Sequence, residues 1–224
     1  MRLLLLATLL ASFFAVTAHA GEREDRRATD ASRVLDEIMQ APDQAIPSRM
    51  LHDAHAVAVI PDVVKASLIL GGRAGKGLVS IRNSDGTWSH PSFIKLTGGS
   101  IGFQAGVQST DVVLVFRSAR GVDSIVNGKF TLGADAAVAA GPVGRTAQAS
   151  TDGQLKAEIY SYSRARGLFA GVALDGAVIA IDHRANQSVY GRNTTPRAIF
   201  EGRAGRPSGA VVDVIDRLEE YSAR

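Results

Sequence analysis

The chain has no cysteine, a single tryptophan and only 6% aromatic residues. Without cysteine there is no disulfide, no thiolate metal site, no thiol nucleophile and no cysteine-linked lipid anchor. Net charge is also scarce: 25 Lys and Arg stand against 22 Asp and Glu, a formal +3. The pI of about 9.4 reflects that small surplus and the lack of cysteine. It excludes a strongly basic nucleic-acid binder. Long apolar runs are missing after residue 20. The most apolar later stretch, Leu168 to Ile181, is split by Asp175-Gly176 and reads as a β-hairpin rather than a membrane helix. Apolar residues (46%) and glycine (23 residues) are what the chain has in quantity. That apolar fraction excludes a disordered chain.

The first twenty residues read as a targeting segment. Arg2 supplies a positive start, Leu3 to Val16 an apolar run, and Ala18-His19-Ala20 a small-x-small cleavage site. This is the layout of a secretory signal peptide. It predicts cleavage after Ala20 and a periplasmic or secreted chain, a setting in which disulfides are optional. Residues 21–224 show no linker long enough to divide them and are expected to fold as a single domain.

The periodicity gives a coarse order of elements. A helix is expected from Thr29 or Asp30, with Ala31, Val34, Leu35, Ile38 and Met39 on one face, ended by Pro42. Pro47 opens a short second helix carrying Met50 and Leu51. Ala56 to Ile60 is a strand stopped by Pro61-Asp62. Leu68 to Leu70 and Leu78 to Ile81 are strands flanking a glycine-rich loop. Asp85-Gly86, Asn127-Gly128 and Asp152-Gly153 mark turns. Residues 101–108 alternate as one strand, and Val112 to Phe116 is a continuous apolar run suited to a central strand. Val122 to Val126 is a short helix, and Tyr160 and Tyr162 alternate with serines. From Ser208 a closing helix places Val211, Val212, Ile215 and Leu218 on one face. All 23 glycines lie after residue 20, several inside expected strands, where glycine marks bends and close backbone approach. The expected fold is α+β: a mainly antiparallel, strongly curved sheet or small barrel with N-terminal helices and a C-terminal helix.

Several of these runs occur together in a recognisable order. They are Ala58-Val59-Ile60-Pro61, the run from Gly71 to Gly77, and Gly86-Thr87-Trp88-Ser89-His90-Pro91-Ser92-Phe93. Next come the runs from Gly102 to Asp111, Phe130 to Asp135 and Ala140 to Arg145. Tyr160-Ser161-Tyr162-Ser163-Arg164 and Gly167-Leu168-Phe169-Ala170-Gly171 complete the set. The ordered set resembles the SYLF domain family over roughly residues 30–200. The resemblance implies a non-catalytic domain that binds membrane lipids, phosphoinositides in eukaryotic members, and in some fungal members actin. With an export signal, actin is an unexpected partner, and anionic phospholipid at a membrane surface is the natural substitute. The alternative is an envelope protein–protein interaction module or scaffold. Neither reading needs a cofactor or a metal.

Within that frame the basic residues divide into two groups. In the Gly71–Gly77 run, Arg73 and Lys76 would meet a lipid phosphate, arginine with a bidentate fork and lysine as a point charge. The plainer reading is a hairpin with solvated cations. The run is not a nucleotide P-loop, because Gly77 follows Lys76 where Ser or Thr is required. Near the N-terminus, Arg23, Arg26, Arg27 and Arg33 lie in or beside an amphipathic helix, which either lies in a membrane interface with its arginines on the head groups or packs its apolar face on the sheet. Three further patterns are weak. Gly98-Gly99-Ser100-Ile101-Gly102 spells a nucleophile elbow, with Asp182-His183 as partners on paper. A strand-like sequence follows it where a helix is required. His52 and His55 have helical metal-ligand spacing but no third ligand nearby. Trp88, Pro91 and Phe93 are expected in the core.

Overall fold

The computed structural model describes residues 2–41, 44–67, 70–101, 106–127, 129–143, 157–165, 168–171 and 174–223. Helix α1 (Arg2–Met39) is 38 residues long. It does not begin at Thr29 or Asp30. Thr29 is exposed and Asp30 half-buried within the helix, which runs on through them from the helix-favouring glutamates and arginines of residues 22–27. The expected apolar face is present: Ala28, Ala31, Val34, Leu35 and Ile38 are fully buried. From Ala28 to Ile38 the helix is therefore packed on the sheet by its apolar face. It ends before Pro42, which lies outside the described residues. Helix α2 (Ser48–His52) follows Pro47 and buries Met50 and Leu51. The other helices among the described residues are α3 (Ala119–Val126), α4 (His183–Tyr190), α5 (Pro196–Phe200) and α6 (Gly209–Ser222). The buried face of α6 is Val211, Val214, Leu218 and Tyr221, whereas Val212 points to solvent.

The strands are β1 (Ala56–Ser67), β2 (Leu70–Ile81), β3 (Ser92–Ile101), β4 (Gly106–Phe116) and β5 (Lys129–Thr131). They continue with β6 (Val138–Ala140), β7 (Ile159–Ala165), β8 (Leu168–Gly171) and β9 (Val178–Ile181). All join one sheet in the order β5-β9-β3-β2-β1-β4-β7-β6, with β8 also paired to β7. Among these strands only the β6–β7 pairing is parallel. Alternation along the strands divides the core in two. On the outer face Val57, Val59, Leu78, Phe93, Val113, Val115, Tyr160 and Tyr162 pack against α1, α2, α4 and α6. On the inner face Ala56, Ala58, Ile60, Val79, Ile94, Leu96, Val112, Leu114 and Phe116 close on one another and on α3. Burial on both faces explains why β1 and β4 read as continuous apolar runs. The fold is α+β with a strongly curled, mainly antiparallel sheet, as the sequence implied.

The details differ where tertiary contact overrides local pattern. Pro61-Asp62 does not stop β1. The strand continues to Ser67 through a register shift against both neighbours, with Asp62 at φ 49°. The Gly71–Gly77 run is not a loop but the body of β2. A Cβ on Gly77 would lie 2.1 Å from the Val59 carbonyl oxygen, and one on Gly75 2.8 Å from Val63 Cγ2. The inner side of the bend in β1 thus leaves no room for side chains on β2, which is what the glycines provide. Asp175-Gly176 is a turn, but the strands beside it do not form a hairpin: β8 pairs with β7, and β9 with β3 and β5. Residues 101–108 are not one strand either, since Ile101 ends β3 and Gly106 begins β4. Residues 102–105, Leu68, Gly128 and Asp152-Gly153 lie outside the described residues.

Candidate anion-binding groove

Alternation on β2 decides which basic residues meet. Ala74, Lys76 and Leu78 share the outer face, whereas Arg73, Gly75, Gly77 and Val79 share the inner one. The β2–β3 register sets Lys76 directly opposite Lys95, and Ala74 opposite Thr97. Above this pair runs α1, whose Arg23, Arg26, Arg27 and Asp30 recur at the helical spacing of one face. Helix and sheet enclose a groove of about 530 Å³, lined also by Pro61, Asp62 and Leu96. Five cations therefore line one depression: Arg23, Arg26, Arg27, Lys76 and Lys95.

Two of the five are held in place from beneath. Buried Asp182 lies 3.2 Å from Lys95 Nζ and 3.8 Å from the Arg27 guanidinium, and it also accepts the Ala185 N–H at the start of α4. Arg27 further pairs with Glu24 at 3.4 Å and lies over the Phe93 ring, 5.5 Å from its centroid. Burial pushes the Arg27 guanidinium below its ordinary pKa, and the carboxylates of Glu24 and Asp182 oppose that shift. Its Nη1 is buried without a hydrogen-bond partner. Among the described residues no ion pair engages Arg23, Arg26 or Lys76. Of the lining carboxylates, Asp30 lies 3.8 Å from Arg33, and Asp62 accepts the Ser109 hydroxyl at 3.2 Å. The arrangement suits a polyvalent anion: anchored cations at the base, unpaired ones at the rim.

Arg26, Arg27 and Lys76 come together as one site. Arg73 and Arg33 do not join them. Arg73 leaves the opposite face of the sheet, its Cγ facing Gly98. Arg33 belongs to a separate ionic cluster, 3.0 Å from Glu37 and 4.0 Å from Asp111, which Arg164 also approaches at 3.7 Å while touching Glu37. In that cluster burial raises the Asp111 pKa, against the pull of the Asp62 N–H and Arg33. Lys95 is the groove cation that no motif singles out, whereas Arg23 is already among the arginines of the N-terminal segment. A signal for Lys95 existed: it lies nine residues after Gly86 and Lys76 nine residues before Asp85, so a chain that folds back at this turn dipeptide brings the two lysines opposite one another.

The weaker patterns do not assemble. Ser100 lies in β3, opposite Gly71, and the next element is strand β4 rather than a helix. Asp182 is engaged by Lys95, Arg27 and α4, while His183 is exposed. His52 Nδ1 donates to the Ser222 carbonyl at 3.2 Å, and the described residues contain no cluster of three His, Cys, Asp or Glu suited to a metal. Trp88 is buried and donates its indole N–H to Ser222 Oγ at 3.0 Å.

Comparison with known proteins fits this fold. Residues 97–221 match the family model Ysc84, described as "Las17-binding protein actin regulator". The chain belongs to the Ysc84 (SYLF) family. Protein YSC84 of Saccharomyces cerevisiae is 40% identical over 184 residues, which is 81% of this chain and 39% of that protein. LAS seventeen-binding protein 3 of the same species is 39% identical over 79% of this chain and 39% of its own length. The human SH3 domain-containing YSC84-like protein 1 is 32% identical over 88% of this chain and 59% of its own. The chain thus spans between about two fifths and three fifths of the length of these relatives. The β2–β3 part of the groove is divided by the start of the family match at Thr97. Lys76, Lys95 and the α1 arginines precede it.

Proposed function

We propose that this Ysc84-family chain binds an anionic phospholipid headgroup reversibly in the groove between α1 and the β1–β3 face. It does so as an exported, periplasmic or secreted protein without catalytic activity. The observation that carries the reading is the convergence of five cations on one groove, two of them opposed across adjacent strands. Like charges placed opposite one another destabilise a sheet, and a bound anion relieves them. Each basic residue at an anionic surface contributes about 1 kcal/mol, so a cluster of this size supports reversible binding without a covalent anchor. The signal-like segment at residues 1–20 supports export and argues against actin as the partner.

Flotation with phosphatidylglycerol-containing and pure phosphatidylcholine vesicles tests the lipid. The expected result is binding to the anionic vesicles only, weakening as salt rises. Equal binding to both, or none at low salt, overturns it. Cell fractionation with N-terminal sequencing tests export, with Gly21 the expected first residue.

The names of the relatives, Las17-binding and SH3 domain-containing, favour a second reading in which the groove receives an acidic segment of an envelope protein. A saturable partner captured from envelope extract, bound equally well without lipid and lost with Lys76→Glu, would favour it.

A further inference from the structure

The outer face of the sheet is not covered along its whole length. Beyond the lysine pair, the register lays out two more rows on the same face. Val64 of β1 stands opposite Ala74 of β2, in a row closed at either end by Ser109 and Thr97, and Ala66 of β1 stands between Val107 of β4 and Gly72 of β2. Their parity matches Leu78 on β2 and Val113 on β4, which pack beneath the helices. Val64, Ala66, Ala74 and Val107 are instead exposed, Val107 at 76% and Val64 at 44%. Three large hydrophobics are exposed among the described residues, and two of them sit here; the third, Val212, is on α6. Only Ser109 and Thr97 at the row ends are polar, and two valines exposed on adjacent strands of this face call for a partner.

We propose that the uncovered β4–β1–β2 surface is a membrane-seating face. Val64, Ala66, Ala74 and Val107 enter the interfacial layer of an anionic bilayer while Lys76 and Lys95 hold lipid phosphates. This inference rests on the lipid reading of the groove and adds the element that penetrates. Ala74 belongs to both surfaces, since it also lines the groove. Residues two apart on a strand are separated by about 7 Å. With Lys76 at the phosphate level, the Val64–Ala74 row therefore lies about 7 Å deeper, within the depth at which interfacial segments bury apolar side chains. The bordering charge selects the occupant. A second copy of this chain would present the same cations, whereas an anionic bilayer supplies the opposite charge and an apolar layer together. Between Ala28 and Ile38 the apolar side of α1 is already buried, so that part of the helix has no apolar face to insert.

The lack of cysteine makes the test direct. Val107→Cys and Val212→Cys are each labelled with an environment-sensitive nitrobenzoxadiazole dye and mixed with phosphatidylglycerol–phosphatidylcholine vesicles. The emission at position 107 should rise severalfold and be quenched by lipids spin-labelled near the headgroup, while position 212 stays unchanged. Val107→Asp, with its melting temperature unchanged, should bind these vesicles about tenfold more weakly. If the labelled protein floats with vesicles but position 107 does not respond, this face is wrong and the groove reading stands. If nothing floats, both fail. Concentration-dependent dimerisation in the absence of lipid, abolished by Val107→Asp, assigns the face to a second copy and overturns the proposal.

Discussion

Lys76 faces Lys95 directly across the β2–β3 ladder, and only Lys95 has a carboxylate beside it, Asp182 at 3.2 Å. The pair is thus half neutralised. Asp182 anchors one ammonium from below, and the other is left for whatever enters the groove.

Replacing Lys76 by Glu should move stability and binding in opposite directions. A cross-strand Glu–Lys pair in place of Lys–Lys should stabilise the fold by about 0.5 kcal/mol. The same change reverses a charge at the groove and should weaken binding to anionic vesicles about tenfold or more. Urea unfolding and vesicle flotation on one preparation check both. A variant that loses stability and binding together would mean that Lys76 has a structural role instead.

Gly77 should not tolerate even a methyl group. A Cβ there would lie 2.1 Å from the Val59 carbonyl oxygen and 2.7 Å from Ile60 Cα, and backbone cannot step aside cheaply. Gly77→Ala should cost about 3 kcal/mol. Gly99→Ala has no atom within 4 Å of the new Cβ and should be neutral or slightly stabilising. Comparing the two melting temperatures separates close packing from the general effect of a lost glycine.

Asn186 ties α4 to the first residues of β3. Its Oδ1 accepts the Phe93 N–H at 2.8 Å, and its Nδ2 donates to Ser92 Oγ at 2.9 Å, all buried. Asn186→Leu conserves volume but strands these groups, and should destabilise the fold by about 2–3 kcal/mol. The single tryptophan, buried at position 88, reports the unfolding transition by its fluorescence.

Asp111 should make stability fall with rising pH over a short acidic window. Its carboxyl titrates above the ordinary 3.8 because it is buried. Between the two values the folded chain holds a proton that the unfolded chain has released. The contribution is complete below the ordinary value and is lost as pH rises through the native one. The stability of the wild type relative to Asp111→Asn should therefore decrease as pH climbs out of the acid range, as read by urea unfolding at a series of pH values. An increase instead would mean that Arg33 and Arg164 dominate over burial.

Much of this architecture was legible in residue spacing. The apolar face of α1, the short helix after Pro47, the central strand at Val112 to Phe116 and the alternation of Tyr160 and Tyr162 all follow from local periodicity. Each also matched a buried face. What misled was punctuation. Pro61-Asp62 reads as a stop but is a bulge, because both neighbouring strands hold β1 in line past it. The Gly71–Gly77 run reads as a loop, since nothing local shows that the inner side of β1 crowds it.

For the site, the sequence determined the chemistry: arginines at helical spacing on α1, cations within a glycine-rich run, and no thiol to anchor or catalyse. Only the tertiary structure decided which cations meet. A strand sends successive side chains to opposite faces, so Lys76 enters the groove while Arg73 leaves through the other side of the sheet. Lys95 arrives by pairing across β3, and Asp182 by the packing of α4 beneath it. These are contacts between residues far apart in the chain. Composition and spacing name the groups, and the curl of the sheet brings them together.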